Sequence, residues 1–188
     1  MRTRFRKVDF MTLCVAILAT DGVEECELVQ PRQALENAGI RTLLVSPAKG
    51  EIQAMEGDVT PVSRHKVDAA IGVAADMELA GIVLPGGTTN PDKLRMDEAA
   101  VAFLRGFVAE GKPIASICHG AWTLIEAGGV KGRSLTSWPS LQTDLLNAGA
   151  NWLDRELVID GNLVSSRCPD DLPAFCDAVV AQYRDKTA

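Results

Sequence analysis

The segment Ser116-Ile117-Cys118-His119-Gly120 sets a thiol and an imidazole side by side between small residues. Small neighbours suit a strained strand-to-helix turn, where the chain passes close to itself and presents a nucleophile outward. An apolar run at 113–117 precedes the turn and a helical stretch at 121–127 follows it. A cysteine there lies at a helix N-terminus, where unpaired N–H groups favour thiolate and lower the thiol pKa. The next N–H, that of His119, then points at an oxyanion. The plainer alternative is a buried cysteine packed at a strand end, the reading given to Cys14. Position, small flanking residues and the adjacent imidazole together favour a nucleophile at Cys118.

The chain has two histidines, which removes any three-histidine zinc site. His65, in Ser63-Arg64-His65-Lys66, reads as a surface residue, so His119 is left as the base. An imidazole needs an acceptor to set its tautomer, and Asp92, in the loop after Gly86-Gly87, is the candidate. Gly86-Gly87 after Ile82-Val83-Leu84 is either a flexible turn or the second half of an oxyanion hole, where a side chain would block close approach. Glu24 and Glu27, three apart at a helix start, share a face. Asp21-x-x-Glu24 equally reads as a capping box, and both readings stay open.

Other chemistry is excluded or unsupported. No G-x-G-x-x-G or G-x-x-x-x-G-K-[ST] pattern occurs, no histidine follows His119 to serve a glutamine amidotransferase, and no metal or cofactor is expected. Five cysteines, Cys14, Cys26, Cys118, Cys168 and Cys176, form an odd set without a Cys-x-x-Cys pair, which fits a reducing cytoplasm. A net charge of −6 argues against anionic lipid or sequence-independent nucleic-acid binding, and nine aromatics leave little for a base-stacking platform. Small, neutral or carbonyl-bearing substrates remain.

These residues must be held by an α/β domain. Apolar runs at 12–18, 41–46, 81–84 and 113–117 predict buried parallel strands, with shorter ones at 135–138 and 157–166. Asp160-Gly161-Asn162 splits the last into a hairpin. Ala100, Phe103, Leu104, Phe107 and Val108 make a helical stripe stopped by Gly111. Further helices are expected at 21–38, bent at Pro31, and at 140–148 and 172–183. A three-layer α/β/α sandwich with a mostly parallel sheet accounts for this alternation. Residues 1–10 are basic and read as an extension, with Met11 a possible start and 11–188 a single domain. The apolar run after them is too short for a membrane span, which takes roughly 20 residues.

At these positions the chain resembles the ThiJ/PfpI family of the DJ superfamily, in its intracellular-protease and general-stress-protein branch. The resemblance runs over 12–183, through Asp21-Gly22-Val23-Glu24-Glu25-Cys26-Glu27-Leu28, Leu84-Pro85-Gly86-Gly87, Ile117-Cys118-His119-Gly120, Leu135-Thr136-Ser137-Trp138 and Ser165-Ser166-Arg167. It implies a flavodoxin-like sandwich, like that of class I glutamine amidotransferases, with Cys118 as nucleophile, His119 as its partner and Glu27 contacting the sulfur. It further implies oxyanion donors at Gly87 and His119, secondary roles for Glu24 and Trp138, and a homo-oligomer, dimer or hexamer, in which Asp92 reaches His119 from a neighbouring subunit. Ala121 departs from the family's usual proline, and Cys26 adds a thiol that reads as either a resolving cysteine or a packed helix residue. The expected activity is a cytoplasmic cysteine hydrolase acting on glyoxal or methylglyoxal adducts of proteins or small molecules. Peptide hydrolysis and a non-enzymatic redox-sensing or chaperone role are the alternatives.

Overall fold

A computed structural model describes residues 13–183, so the expected extension at 1–10 and the question of Met11 lie outside it. The strands in chain order are β1 Cys14–Leu18, β2 Val23–Glu24, β3 Arg41–Ser46, β4 Glu51–Glu56, β5 Thr60–Lys66, β6 Ala69–Ala70, β7 Gly81–Leu84, β8 Ile114–Ile117, β9 Ser134–Leu135, β10 Asn151–Trp152, β11 Leu157–Asp160 and β12 Leu163–Ser166. The helices are α1 Glu25–Asn37, α2 Ile71–Ala74, α3 Thr89–Met96, α4 Glu98–Ala109, α5 Ala121–Glu126, α6 Gln142–Asn147 and α7 Leu172–Ala181.

The main sheet runs β11-β12-β8-β7-β1-β3-β6, parallel throughout except for β11, which folds back on β12 as the Asp160-Gly161-Asn162 turn predicts. Successive side chains of a strand point to opposite faces, and β1 supplies both cores. Cys14, Ala16 and Leu18 pack with Leu104, Phe107 and Leu124 of α4 and α5, while Val15 and Ile17 pack with Leu28, Leu35, Phe175 and Val179 of α1 and α7. Helices therefore cover both faces, which gives the α/β/α sandwich. From β1 the chain builds outward through β3 and β6, then returns to lay β7 on the other side. The crevice between β1 and β7 is thus the topological switch point, where open α/β sheets bind ligands beyond the carboxyl ends of their strands.

Local departures from the sequence reading have identifiable causes. The first helix begins at Glu25 instead of near Asp21, because Val23 and Glu24 pair with Ala54 and Met55. No capping box forms: Glu24 makes no side-chain cap, and Asp21 Oδ1 accepts from the Gln53 N–H at 2.8 Å. Pro31 lies buried within α1. Residues after Gly87, read as a loop, turn at once into α3. The β4–β5 hairpin was not foreseen, since β5 is exposed along almost its whole length and carries no apolar alternation.

Candidate active site

Ile117 ends β8 in extended conformation, and Cys118 then takes φ 57, a left-handed backbone that costs an L-residue of ordinary type about 1–2 kcal/mol. The expected sharp turn is therefore present. Its closeness is enforced by neighbouring glycines: a Cβ on Gly120 would run into the Leu84 carbonyl, and one on Gly86 would sit 2.5 Å from Glu27 Oε2 and 2.7 Å from Cys118 Cβ. Carboxyl and thiol can approach because that space is left empty.

Three titratable groups meet at the turn. His119 Nδ1 lies 3.2 Å from Cys118 Sγ. The imidazole is clamped between Trp138, stacked at 5.9 Å between centroids and 27°, and Trp122, tilted at 5.1 Å. Burial lowers its pKa, against an opposing pull from the Asp58 charge, so the ring is neutral at pH 7 and available as a base. Glu27 is wholly buried on α1; its Oε2 accepts from the Gly86 N–H at 2.8 Å, while Oε1 finds no hydrogen-bond partner among the described residues. Burial pushes its carboxyl up to about 8.

The thiol does not follow the expectation of a lowered pKa. Burial raises it first, and the Glu27 charge adds to the rise; the His119 N–H pulls the other way. The helix that was to stabilise thiolate is a single 3-10 turn, Cys118–Gly120, followed by the six residues of α5, too short to offset desolvation. The acid and the thiol are coupled. With Glu27 protonated at neutral pH its repulsion of the sulfur disappears, and its free Oε1 becomes a donor toward sulfur. The negative charge that develops on Cys118 thus depends on Glu27 being neutral.

Glu24, Glu27, Gly87, Cys118, His119 and Trp138 border one cleft of about 340 Å³, so six of the sequence-derived positions converge. Gly87 has φ 77, and its Cα packs directly on the Gly22–Glu24 backbone, leaving no room for a side chain. Asp92 does not converge. Within the chain it stands on α3, exposed and paired with Arg95 at 3.2 Å, so it cannot orient its own His119 as the loop reading required. His65 is not a free surface residue either: Nε2 lies 2.8 Å from Glu25 and 3.0 Å from Ser63. Cys26 is half-buried, and burial together with the Glu27 and Glu24 charges pushes its thiol up to about 11, which suits a packed helix residue better than a resolving thiol.

Gly57, Asp58 and Pro169 line the cleft as well, and none is a candidate from the sequence. Asp58, at the tip of the β4–β5 hairpin, has φ 67 and joins the same cleft. Its N–H and that of Gly57 donate to Glu24 at 3.3 and 3.2 Å, and its Oδ1 accepts from the Thr88 N–H at 2.6 Å. Glu24 therefore buttresses the tip. The signal available was Glu56-Gly57-Asp58, a turn sequence between two polar runs.

The family model described as DJ-1/PfpI family matches residues 14–182. The chain belongs to the DJ-1/PfpI family. It is 42% identical over 161 residues to a protein of Pyrococcus abyssi named deglycase, covering 86% of this chain and 93% of the relative. It is 38% identical over 167 residues to protein/nucleic acid deglycase 2 of Escherichia coli, covering 88% and 94%. Among solved structures, a two-domain protein of Anabaena variabilis with DJ-1/ThiJ/PfpI-like and ferritin-like domains superimposes with a TM-score of 0.83 at 32% identity, over 91% of this chain and 48% of that one. The sandwich is thus the DJ-1/PfpI fold.

Proposed function

We propose that the chain is a cysteine-dependent hydrolase of the PfpI type that removes glyoxal- or methylglyoxal-derived adducts from proteins or small molecules, a deglycase or glyoxalase-like activity serving a stress response. The observation that carries this reading is the meeting of Cys118 with a neutral base 3.2 Å from its sulfur and with Glu27 on α1. The names of the Pyrococcus abyssi and Escherichia coli relatives support the same class. A cleft of about 340 Å³ supports a small adduct over an extended peptide.

As Sγ adds to the carbonyl carbon, its proton passes to His119 Nδ1, the C–S bond forms, and the π pair moves to oxygen. The Gly87 and His119 N–H groups hold that oxyanion, and Glu27 donates toward sulfur. For a methylglyoxal adduct the C–N bond breaks as the amine takes a proton, so the carbonyl carbon that Sγ attacks is the freed aldehyde. Its C–H proton then moves through an enediol to the neighbouring carbon, and one water cleaves the resulting thioester C–S bond, returning the thiol and giving the free amine and lactate. The aldehyde-level carbon is oxidised while its ketone neighbour is reduced, so the reaction balances without an external oxidant or cofactor. His119 relays the protons.

A homo-oligomer completes the proposal. Among the described residues His119 makes no hydrogen bond to a carboxylate, whereas Asp92, exposed on α3 and paired with Arg95, would turn to the His119 of a second protomer. A cytoplasmic location is supported by five free cysteines; no helix among the described residues is long and apolar enough to cross a membrane.

The test is lactate release from a methylglyoxal adduct of Nα-acetylarginine, with casein hydrolysis assayed beside it. Wild type releases lactate and Cys118→Ala falls to the uncatalysed rate. Casein cleavage without lactate release, or equal lactate release by Cys118→Ala, contradicts the proposal.

A further inference from the structure

Among the described residues the cleft is lined by three carboxyl groups, those of Glu24, Glu27 and Asp58, and by no lysine or arginine. With Glu27 protonated, the carboxylates of Glu24 and Asp58 still face one small space, which disfavours an anionic ligand and favours a cation. Their roles differ. Glu24 is spent on the Gly57 and Asp58 N–H groups, and the Oε2 of Glu27 on the Gly86 N–H. Asp58 is fixed at both ends, by its own N–H on Glu24 and by Oδ1 on Thr88, while its Oδ2 makes no hydrogen bond among the described residues. A second feature of the same cleft points to a ligand. Trp138, stacked against His119, keeps 40% of its surface exposed at the cleft, and the wholly buried Glu27 Oε1 borders that cleft without a partner.

We propose that Asp58 and Trp138 form a subsite for a guanidinium group, so that arginine-derived adducts are preferred over adducts of uncharged nucleophiles. This rests on the hydrolase reading of Cys118 and deepens it by naming the nucleophile from which the adduct is removed. A guanidinium is planar and delocalised: it donates in-plane hydrogen bonds to a carboxylate while its face lies on an aromatic ring. A free carboxylate oxygen and an exposed indole bordering one cleft supply both halves. Asp58 reaches the site from the tip of the β4–β5 hairpin, on a different element from Cys118, and would hold the guanidinium from which the adduct leaves.

The test separates binding from chemistry. Cys118→Ala protein, which lacks the nucleophile, is titrated with Nα-acetylarginine amide, Nα-acetylnorleucine amide and Nα-acetylglutamate amide and followed by NMR chemical shifts. The arginine amide binds at least about tenfold more tightly than the norleucine amide, as a charge-assisted hydrogen bond warrants, and the glutamate amide binds weakest. Asp58→Asn on that background keeps the Thr88 acceptor and tolerates the left-handed backbone; it brings arginine and norleucine amides within about threefold. Asp58→Gly, favoured at φ 67, gives the same result should the asparagine protein fold poorly. Equal binding of the three probes, or an arginine preference that survives both substitutions, overturns the subsite. Arginine preference in protein that releases no lactate from any adduct upholds the subsite and refutes the hydrolase; lactate release without preference does the reverse.

Discussion

Cys118 and Asp58 face one cleft from opposite kinds of structure, yet they are the two non-glycine residues with positive φ among those described, at 57 and 67. Cys118 leaves β8, four buried residues paired on one side with β7 and on the other with β12. Asp58 caps a hairpin whose β5 strand is exposed from Thr60 to Arg64. Strain at Cys118 is enforced by packing on all sides, whereas the strain at Asp58 is held by a few hydrogen bonds to Glu24 and Thr88. Backbone strain of this kind persists only where surroundings over-determine it, and it gathers at functional sites. On the proposed reading the nucleophile is set by the core, whereas the Asp58 carboxyl of the proposed subsite is carried by a surface hairpin.

The largest test of that contrast is a pair of glycine substitutions. Gly86→Ala places a methyl against Glu27 Oε2 and Cys118 Cβ, in a region that cannot yield. It is expected to cost about 1–3 kcal/mol of stability, as overpacked cores do, and to reduce lactate release by more than about tenfold. Gly57→Ala, at the hairpin tip, meets nothing within 4 Å and suffers only its φ of 59, for about 1 kcal/mol. Chemical denaturation of both reads the difference; equal losses would erase the contrast.

A smaller effect is the pH dependence contributed by Glu27. Burial raises its carboxyl from 4.5 to about 8, so the folded chain holds a proton that the unfolded chain releases between those values. Its contribution is therefore full below pH 4.5 and is lost as pH rises through about 8. Glu27→Gln, neutral throughout, is expected to flatten stability over that interval while keeping a donor for the sulfur. Unchanged slopes in the two proteins would show that Glu27 titrates normally. The smallest expected effect is at the exposed Asp92. Asp92→Ala is expected to leave a correctly folded chain with lactate release reduced by about tenfold if the carboxyl only orients the imidazole. Full activity in a protein shown by light scattering to be monomeric refutes its role across a subunit boundary.

The same contrast explains what could be read from the sequence. Strands buried on both faces leave continuous apolar runs, so β1, β3, β7 and β8 were visible within a residue or two, and with them the turn at Cys118. Glu27 was visible only as one of two acids at a helix start, because its burial arises from the approach of Gly86, far along the chain. Asp58 is invisible in the sequence for a related reason: a polar hairpin carries no periodicity, and its tip is brought to the site by Glu24 of the two-residue strand β2 and by Thr88, both far from it along the chain. The direction of the Cys118 shift was misjudged because helix-end electrostatics can be read from sequence order, whereas desolvation cannot.

On the proposed mechanism one imidazole, that of His119, serves Cys118 as its base. Steady-state lactate release from the Nα-acetylarginine adduct by His119→Ala measures it directly. The expected result is a kcat lower by about 10²–10⁴-fold with Cys118 still alkylated by iodoacetamide; turnover equal to that of the wild type would contradict the claim.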